Sequence, residues 1–279
     1  MLLPHADSIV PVDMRLLAIS DLHLGHPVNR RHFASIGESP EDWLILAGDM
    51  GESEEQLAFA FEHLRSRFAR LIWVPGNHEL WTIGGSSRGE ARYHSLVALA
   101  RSFGVITPED DYPQWPGSDR PLRIAPLFTL YDYTFRPDDV PADQVLAWAA
   151  ADNTICADEY LLHPTPYPSR SAWCAARIAV TEARLAALPE TCETVLISHY
   201  PLRRVDARLP RIPRFSPWCG TRATEGWPQR FRARAVIYGH LHIRRQFNDE
   251  GVRYHEVSLG YPWQWDQTRP VASYVQTIL

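Results

Sequence analysis

Residues 14–23 read Met-Arg-Leu-Leu-Ala-Ile-Ser-Asp-Leu-His, an apolar run that ends in a serine, an aspartate and a histidine. Apolar runs this short, when polar residues follow them, are typical of buried strands. Four later runs have the same form, and each also ends in residues with metal-binding or catalytic side chains. They are 43–47 before Gly48-Asp49, 71–74 before Pro75-Gly76-Asn77-His78, 194–197 before Ser198-His199, and 235–238 before Gly239-His240.

Amphipathic patterns separate several of these runs and predict helices over residues 54–70, 90–103 and 173–188. The alternation of strands and helices in the first half predicts parallel strands, whose polar ends then gather at one edge of a sheet. Three later segments, 122–133, 252–259 and 271–279, are predicted as strands of a second sheet. We therefore expect an α/β fold with two packed sheets and outer helices, in a single domain over residues 1–279.

Composition narrows the possible classes of protein. The chain has 279 residues, 45% of them hydrophobic, so it can bury a full core and is not intrinsically disordered. A formal net charge of −5 disfavours a general nucleic-acid or anionic-membrane binder, because such proteins are usually basic. No apolar run approaches the roughly 20 residues needed to cross a bilayer, and residues 1–7 lack the pattern of a secretion signal.

Cysteine usage indicates the compartment. The four cysteines are widely spaced and include no Cys-x-x-Cys pair, so we expect reduced thiols and a cytoplasmic protein. They are Cys156, Cys174, Cys192 and Cys219.

The five predicted strand ends carry the donor groups that first-row metal ions prefer in proteins. Asp21 and His23 are two residues apart, as are His240 and His242, so in an extended chain each pair points to one side. Glycines beside three of the ends permit close approach of the backbone to an ion. Any one of these blocks is common in loops, but five in order, each after a predicted strand, indicate a metal site.

These blocks resemble the signature of the calcineurin-like metallophosphoesterase family, which runs Asp-x-His, Gly-Asp, Gly-Asn-His-(Asp/Glu), His and Gly-His-x-His. All five are present, and they span residues 21–242. The resemblance implies a four-layer αββα sandwich, with two mixed β-sheets flanked by helices and two divalent metal ions between the sheet edges. By position, one metal would be held by Asp21, His23, Asp49 and His242, and the other by Asp49, Asn77, His199 and His240.

The resemblance also implies a reaction, the hydrolysis of a phosphate ester by a hydroxide that bridges the two metals. Divalent cations roughly 3.5–4 Å apart repel each other, so an anionic bridge such as Asp49 is needed between them. His78 corresponds to the family residue that stabilises the transition state and protonates the leaving oxygen, a catalytic role suited to imidazole. Manganese is the expected metal, although iron, zinc and nickel also accept this donor set.

Several alternatives stay open at the level of substrate. A small-molecule phosphate ester is expected, while a phosphodiesterase or nuclease acting on nucleic acid is the alternative that the net charge disfavours. The family's protein phosphatases carry a run with Asp-Arg-Gly after the Gly-Asp block, and residues 50–53 of this chain contain no arginine. A non-catalytic scaffold with the same fold is the remaining alternative, but no ligand is missing. No membrane partner is expected, and the oligomeric state is left open.

Residues outside the five blocks give weaker signals for substrate contacts. Three polar residues follow the first block, one tyrosine ends a predicted strand, and one arginine begins an arginine-rich loop over 203–214 that either steers an anionic substrate or is simply solvated. Residues 138–173 interrupt the family pattern, and we expect a lid-like insertion there. The candidate substrate contacts are His26, Asn29, Arg30, Tyr131 and Arg203.

Overall fold

The computed structural model describes residues 14–84 and 87–279, so the expectation about a secretion signal at residues 1–7 lies outside the described residues. The strands are β1 Leu16–Ile19, β2 Ser39–Leu46, β3 Phe68–Trp73, β4 Leu122–Pro126, β5 Glu193–Ile197, β6 Ala233–Tyr238, β7 Arg245–Asp249, β8 Val252–Glu256 and β9 Gln276–Thr277. The helices are α1 Pro27–Phe33, α2 Glu54–Leu64, α3 Asn77–Leu80, α4 Gly89–Ser102, α5 Val145–Ala150, α6 Asp158–Leu161, α7 Arg170–Ala186 and α8 Trp227–Arg230.

Two mixed sheets form the centre of the molecule. The first has the order β3-β2-β1-β9, in which β1 to β3 are parallel and β9 runs antiparallel to β1. The second has the order β4-β5-β6-β8-β7, in which only β7 is antiparallel to its neighbour. The predicted arrangement of two mixed sheets flanked by helices is confirmed.

Alternating residues of each strand face different layers. Leu16 and Ala18 of β1 share a buried cluster with Val195 of β5, and this cluster fills the space between the two sheets. Leu17 and Ile19 point to the other face and join a larger cluster that includes the helices. Because both faces of these strands are buried, they appear in the sequence as continuous apolar runs instead of alternating ones.

Three of the predicted element boundaries were wrong. The predicted helix over 54–70 ends at Leu64, because Phe68 already pairs with Ser39 as the first residue of β3. The predicted strand over 122–133 ends at Pro126. Its partner strand β5 ends at Ile197, so the β-sheet pairing stops there. Residues 271–279 contain a short 3₁₀ turn before the two residues of β9.

Within the described ranges, no helix is long and apolar enough to cross a membrane. All four cysteines are buried free thiols, as the wide spacing predicted.

Candidate metal centre

The predicted metal ligands converge where the parallel strands of both sheets end. The loop after β1 bonds to the loop after β2, since the Asp21 amide donates to the Gly48 carbonyl at 2.9 Å. The loop after β6 bonds to the loop after β5, since the Gly239 amide donates to the His199 carbonyl at 2.9 Å. The topology thus brings together side chains that are up to 221 positions apart in the sequence.

Five of the predicted ligands have a left-handed backbone conformation. Non-glycine residues rarely adopt positive φ, and each such residue costs of order 1–3 kcal/mol unless it is an Asn or Asp in a favourable turn. Clusters of such residues are typical of functional sites, where the surrounding fold imposes the conformation. The five are Asp21 (φ 54°), His23 (42°), Asp49 (54°), His240 (68°) and His242 (54°).

A first group of donors consists of Asp21, His23 and His242, whose ligand atoms lie within 4.8 Å of one another. The Nε2 atom of His242 is 3.0 Å from Asp21 Oδ1 and 3.2 Å from His23 Nε2. His242 Nδ1 donates to Gln264 Oε1 at 2.7 Å, which fixes the tautomer and turns Nε2 toward the other two donors.

A second group consists of Asp49, His199 and His240, again with ligand atoms within 4.8 Å of one another. His199 Nε2 lies 3.4 Å from Asp49 Oδ2 and 3.2 Å from Asn77 Oδ1. His199 Nδ1 donates to the Ala47 carbonyl at 2.9 Å, so its Nε2 atom faces the group. Among the described residues, the buried Nε2 atom of His240 has no hydrogen-bond partner.

A third group, formed by His23, Asp49 and His78, lies between the other two. His78 Nε2 is 3.8 Å from Asp49 Oδ2, and the His78 amide donates to Asp49 Oδ1 at 2.9 Å. His78 Nδ1 faces Glu52 Oε1 at 3.2 Å. Asp49 therefore belongs to two of the three groups, and a carboxylate oxygen of it lies within 4.8 Å of a ligand atom of His23 and of His199.

The electrostatics of the site are dominated by two buried carboxylates. Asp21 and Asp49 are 0% and 2% exposed, and in residues 14–84 and 87–279 their ion-pair partners are all histidines. Burial opposes ionisation of both carboxyls, but the adjacent imidazoles hold the pKa of each well below its ordinary value. Buried carboxylates in this state need nearby positive charge, and divalent cations supply it most directly.

The pKa values of two imidazoles in the site shift in opposite directions. Burial lowers the pKa of His240 to about 3, so this ring is neutral and able to bind a metal ion. Burial also opposes protonation of His199, but Asp49 outweighs it and raises the pKa of His199 to about 10. The negative field of Asp49 that holds this proton would equally favour a metal cation in its place.

The donor geometry fits first-row divalent ions. Two donors that bind one ion through bonds of about 2.1 Å lie roughly 3.0–3.4 Å apart. His242 Nε2 lies 3.0 Å from Asp21 and 3.2 Å from His23, and His199 Nε2 lies 3.2 Å from Asn77 and 3.4 Å from Asp49. The separation of His23 Nε2 from Asp21 Oδ1 is longer, at 3.9 Å. The mixture of imidazole, carboxylate and carboxamide suits manganese, iron and zinc. A metal ligand role also accounts for the partnerless nitrogen of His240.

Glu79, the last residue of the third sequence block, joins two of the ligand loops. Its carboxylate accepts the backbone N–H groups of Gly76 at 2.9 Å, Asp49 at 2.9 Å and Met50 at 2.7 Å. Burial and the nearby Asp49 raise the pKa of Glu79 to about 7. Position 76 requires glycine, because a Cβ atom there would overlap Asp49 Oδ1.

Asp158 is a buried residue of the site that the sequence did not reveal. It lies in α6, within the predicted insertion, and its Oδ1 accepts from Asn77 Nδ2 at 2.9 Å and from Trp81 Nε1 at 2.6 Å. These bonds turn the Asn77 carbonyl oxygen toward His199. Arg170 donates to the Asp158 carbonyl at 2.6 Å and so ties α6 to the start of α7. A lone aspartate outside any motif has no local signal that predicts this role.

Gln264 and Tyr261 also support the first group of donors without a motif to mark them. Gln264 Oε1 accepts from the Tyr261 amide at 2.7 Å as well as from His242. The Tyr261 ring stacks on His23, with ring centroids 4.3 Å apart and an angle of 16° between the planes. The Tyr261 hydroxyl lies 3.5 Å from His78 Nε2.

Two of the candidate substrate contacts lie on the surface near α1. His26 is half-buried beside the site, with its ring edge-on to Tyr261 at a centroid distance of 5.4 Å. Arg30 is partly exposed and places its guanidinium 4.1 Å from the ring centroid of Phe59. Substrate contact by these two residues stays a prediction.

The structure corrects the candidate roles of Asn29, Tyr131 and Arg203. The buried Asn29 amide is used in bonds to the Leu22 and Gly260 carbonyls and to Trp265, so it ties α1 to other loops. Tyr131 is completely buried and has no surface to offer a substrate. Arg203 uses its guanidinium on the carboxylates of Asp206 and Asp249, and it stacks over Tyr254.

Two sheets whose strand ends carry clustered His, Asp and Asn donors define a metal-dependent hydrolase of phosphate esters. Residues 14–244 match the sequence profile described as calcineurin-like phosphoesterase. The chain therefore belongs to the calcineurin-like phosphoesterase family, and the predicted family and enzyme class are confirmed.

Two comparisons place the chain within this family. It is 45% identical over 266 residues to the acyl-carrier-protein phosphodiesterase PptH of Mycobacterium tuberculosis, a match that covers 94% of this chain and 82% of that protein. It is also similar to the crystal structure of the phosphopantetheinyl hydrolase PptH from Mycobacterium tuberculosis, with a TM-score of 0.91, 44% identity and 96% of each chain covered.

The shared position of Asp49 leads to a first prediction. Asp49→Asn removes the charge that both metal positions use, so we expect bound manganese, measured by mass spectrometry after dialysis, to fall from about two ions per chain to below one. Asp42→Asn is the matched control, because Asp42 is equally buried in β2 but pairs with Arg15. Full metal content in Asp49→Asn would contradict the shared role.

The close approach at position 76 leads to a second prediction. Gly76→Ala displaces the Asp49 carboxylate, so we expect manganese affinity, measured by calorimetric titration, to fall at least about 10-fold. Gly37→Ala is the control, since a Cβ atom at position 37 meets nothing within 4 Å. Equal affinities in the two variants would show that the loop tolerates a side chain at position 76.

Proposed function

We propose that this chain hydrolyses the phosphodiester bond that joins a phosphopantetheine arm to an acyl carrier protein. The observation that carries the proposal is the 45% identity, over 94% of the chain, to an acyl-carrier-protein phosphodiesterase. In this reaction water adds to phosphorus, the ester bond to the carrier's hydroxyl breaks, and that oxygen takes a proton. The products are phosphopantetheine and a carrier protein with a free hydroxyl group.

The shape of the site supports a diester with one long arm. A cleft of about 290 Å³ opens onto the donor groups, and Asp49, Asn77 and His78 form its polar wall. Such a cleft suits an ester whose phosphate lies at the polar wall while an uncharged arm lies along an apolar one. The apolar part of its lining is formed by Ile155, Leu209, Ile212 and Phe215.

The proposed ligand sets follow the family pattern and the observed groups. One metal ion would be held by Asp21, His23, Asp49 and His242, and the other by Asp49, Asn77, His199 and His240. When bound, the two ions supply an activated water and positive charge for the phosphoryl oxygens. The chain's own contribution is to hold the donors in place, through the bonds of Gln264 to His242 and of Ala47 to His199.

His78 is proposed as the group that protonates the leaving oxygen. Its ring lines the cleft, and Glu52 holds the Nδ1 atom while Nε2 lies near the Tyr261 hydroxyl. Although burial opposes the imidazolium form, Asp49 and Glu52 raise the pKa of His78. A ring that holds a proton at this position suits general acid catalysis of ester cleavage.

Manganese is proposed as the metal and the cytoplasm as the compartment. The mixed donor set accepts manganese along with other first-row ions, and availability in the cell decides among them. Four buried free thiols are typical of proteins in a reducing compartment.

The role of His78 is tested by separating metal binding from turnover. We expect His78→Asn to keep its manganese while kcat for bis(p-nitrophenyl) phosphate falls about 10²- to 10³-fold. His94→Asn is the control, because His94 is an exposed histidine on α4. If His78→Asn loses as much metal as Asp49→Asn does, His78 is a ligand and the assignment is wrong.

The substrate is tested directly on the manganese-loaded protein. We expect intact-mass spectrometry to show that a holo acyl carrier protein loses its phosphopantetheine group, and we expect bis(p-nitrophenyl) phosphate to be cleaved faster than p-nitrophenyl phosphate. Degradation of single-stranded DNA with the holo carrier left intact would favour a nuclease. Inertness toward every substrate would favour a scaffold.

A further inference from the structure

We propose that the mouth of the metal cleft is a docking surface for an acidic carrier protein. This inference rests on the proposed function, because the docked protein is the one that carries the phosphodiester. The surface, which we call the docking rim, combines two arginines that have no acidic partner among the described residues with three exposed apolar side chains. It consists of Arg208, Arg211, Ile155, Ile212 and Trp263.

Large apolar side chains are concentrated at this mouth. Ile155 and Ile212 are 62% and 49% exposed, and both line the cleft. Trp263 is 72% exposed and stacks on Tyr261, a cleft residue, with ring centroids 4.9 Å apart. Single exposed apolar residues are ordinary, but several around the mouth of one cleft mark a contact surface, and tryptophan is a frequent anchor at such surfaces.

The arginines of the loop over 203–214 divide into two kinds. Arg203, Arg204 and Arg214 each form ion pairs with aspartates. Arg208 and Arg211 are exposed, and within the part of the chain that the structure describes neither has an ion pair or a side-chain hydrogen bond. Composition alone explains an arginine-rich loop, but these two arginines directly precede Leu209 and Ile212, which line the cleft.

Each of the two unpaired arginines lines a depression that shares residues with the cleft. Arg208 lines a surface depression of about 690 Å³, and Leu209 belongs to both this depression and the cleft. Arg211 lines a second depression of about 470 Å³, which shares Leu209, Ile212 and Leu241 with the cleft. The two depressions adjoin the cleft and are lined by four arginines (Arg204, Arg208, Arg211 and Arg244) and one acidic residue, Glu225, so this surface is broader than a phosphate and one arm require.

Charge complementarity identifies the occupant. The whole chain carries a formal net charge of −5, so an acidic protein is repelled on average and approaches productively only where the local potential is positive. Two unpaired arginines beside the mouth supply such a region. A nucleic-acid strand would meet two rim arginines here, which is few for a site that tracks a phosphate backbone.

The arginines are tested by charge reversal with two substrates. In Arg208→Glu/Arg211→Glu we expect kcat/KM for the holo acyl carrier protein to fall about 10-fold or more, and to lose most of its salt dependence. The same variant should cleave bis(p-nitrophenyl) phosphate within about twofold of the wild-type rate, because neither arginine lines the cleft that binds the small diester. Arg120→Glu/Arg234→Glu is the matched control, since it makes the same charge change beside the amino ends of β4 and β6.

The apolar part of the rim is tested in the same pair of assays. In Trp263→Ala we expect KM for the holo carrier to rise about 5- to 10-fold while hydrolysis of the small diester is unchanged. Val180→Ala is the control, because Val180 is 44% exposed on α7.

Other results of these assays would contradict either the docking surface or the proposed function. Equal losses on both substrates would make the rim structural, and unchanged carrier kinetics in both rim variants would remove the docking surface alone. Inhibition by single-stranded DNA that the arginine reversal abolishes would assign the rim to nucleic acid instead. A wild-type protein that cleaves the small diester but leaves the holo carrier intact would overturn the proposed function itself.

Discussion

The structure depends on keeping two carboxylates, Asp21 and Asp49, ionised and buried with only imidazoles as ion-pair partners among the described residues. A buried charge without a compensating cation is among the most costly features that a fold can contain. Four imidazoles, those of His23, His78, His199 and His242, lie against these carboxylates, and divalent cations bound by the same donors would offset the remaining charge. The strand ends, the sharp turns and the glycine at position 76 all keep these groups in place.

The surrounding fold keeps the ligand residues in strained backbone conformations. Five ligand positions have positive φ, and a flexible loop would relax out of such conformations. Here each turn follows a strand that is buried on both faces, so the backbone before it cannot move. Glu79 adds a second restraint, because its carboxylate accepts three backbone N–H groups from the two loops that carry Asp49 and His78. Rigidity of the sheets is thus the means by which the metal donors stay close.

The parts predictable from the sequence are those with a local pattern. A short apolar run followed by a donor residue is visible along the chain, and parallel strands bring such ends together. The end of β4 could not be predicted from the local sequence, because β4 ends where its partner strand β5 ends. Asp158 could not be found either, since its role exists only through contact with Asn77. The role predicted for Arg203 was also wrong, because one of the two aspartates that pair with it, Asp249, is 46 positions away along the chain.

Chemistry and selectivity occupy different parts of the chain. The five sequence blocks supply metal ligands, which do not distinguish one phosphate ester from another. Preference among esters is therefore expected to come from segments outside these blocks. The insertion over 138–173 and the loop over 203–214 are such segments, and ion pairs join them, Asp138 to Arg204 and Asp152 to Arg214. Because each segment contributes a residue to the apolar wall of the cleft, movement of one segment would carry the other and alter the whole wall. Ion pairs and a shared cleft lining therefore couple the two segments beside the metal donors.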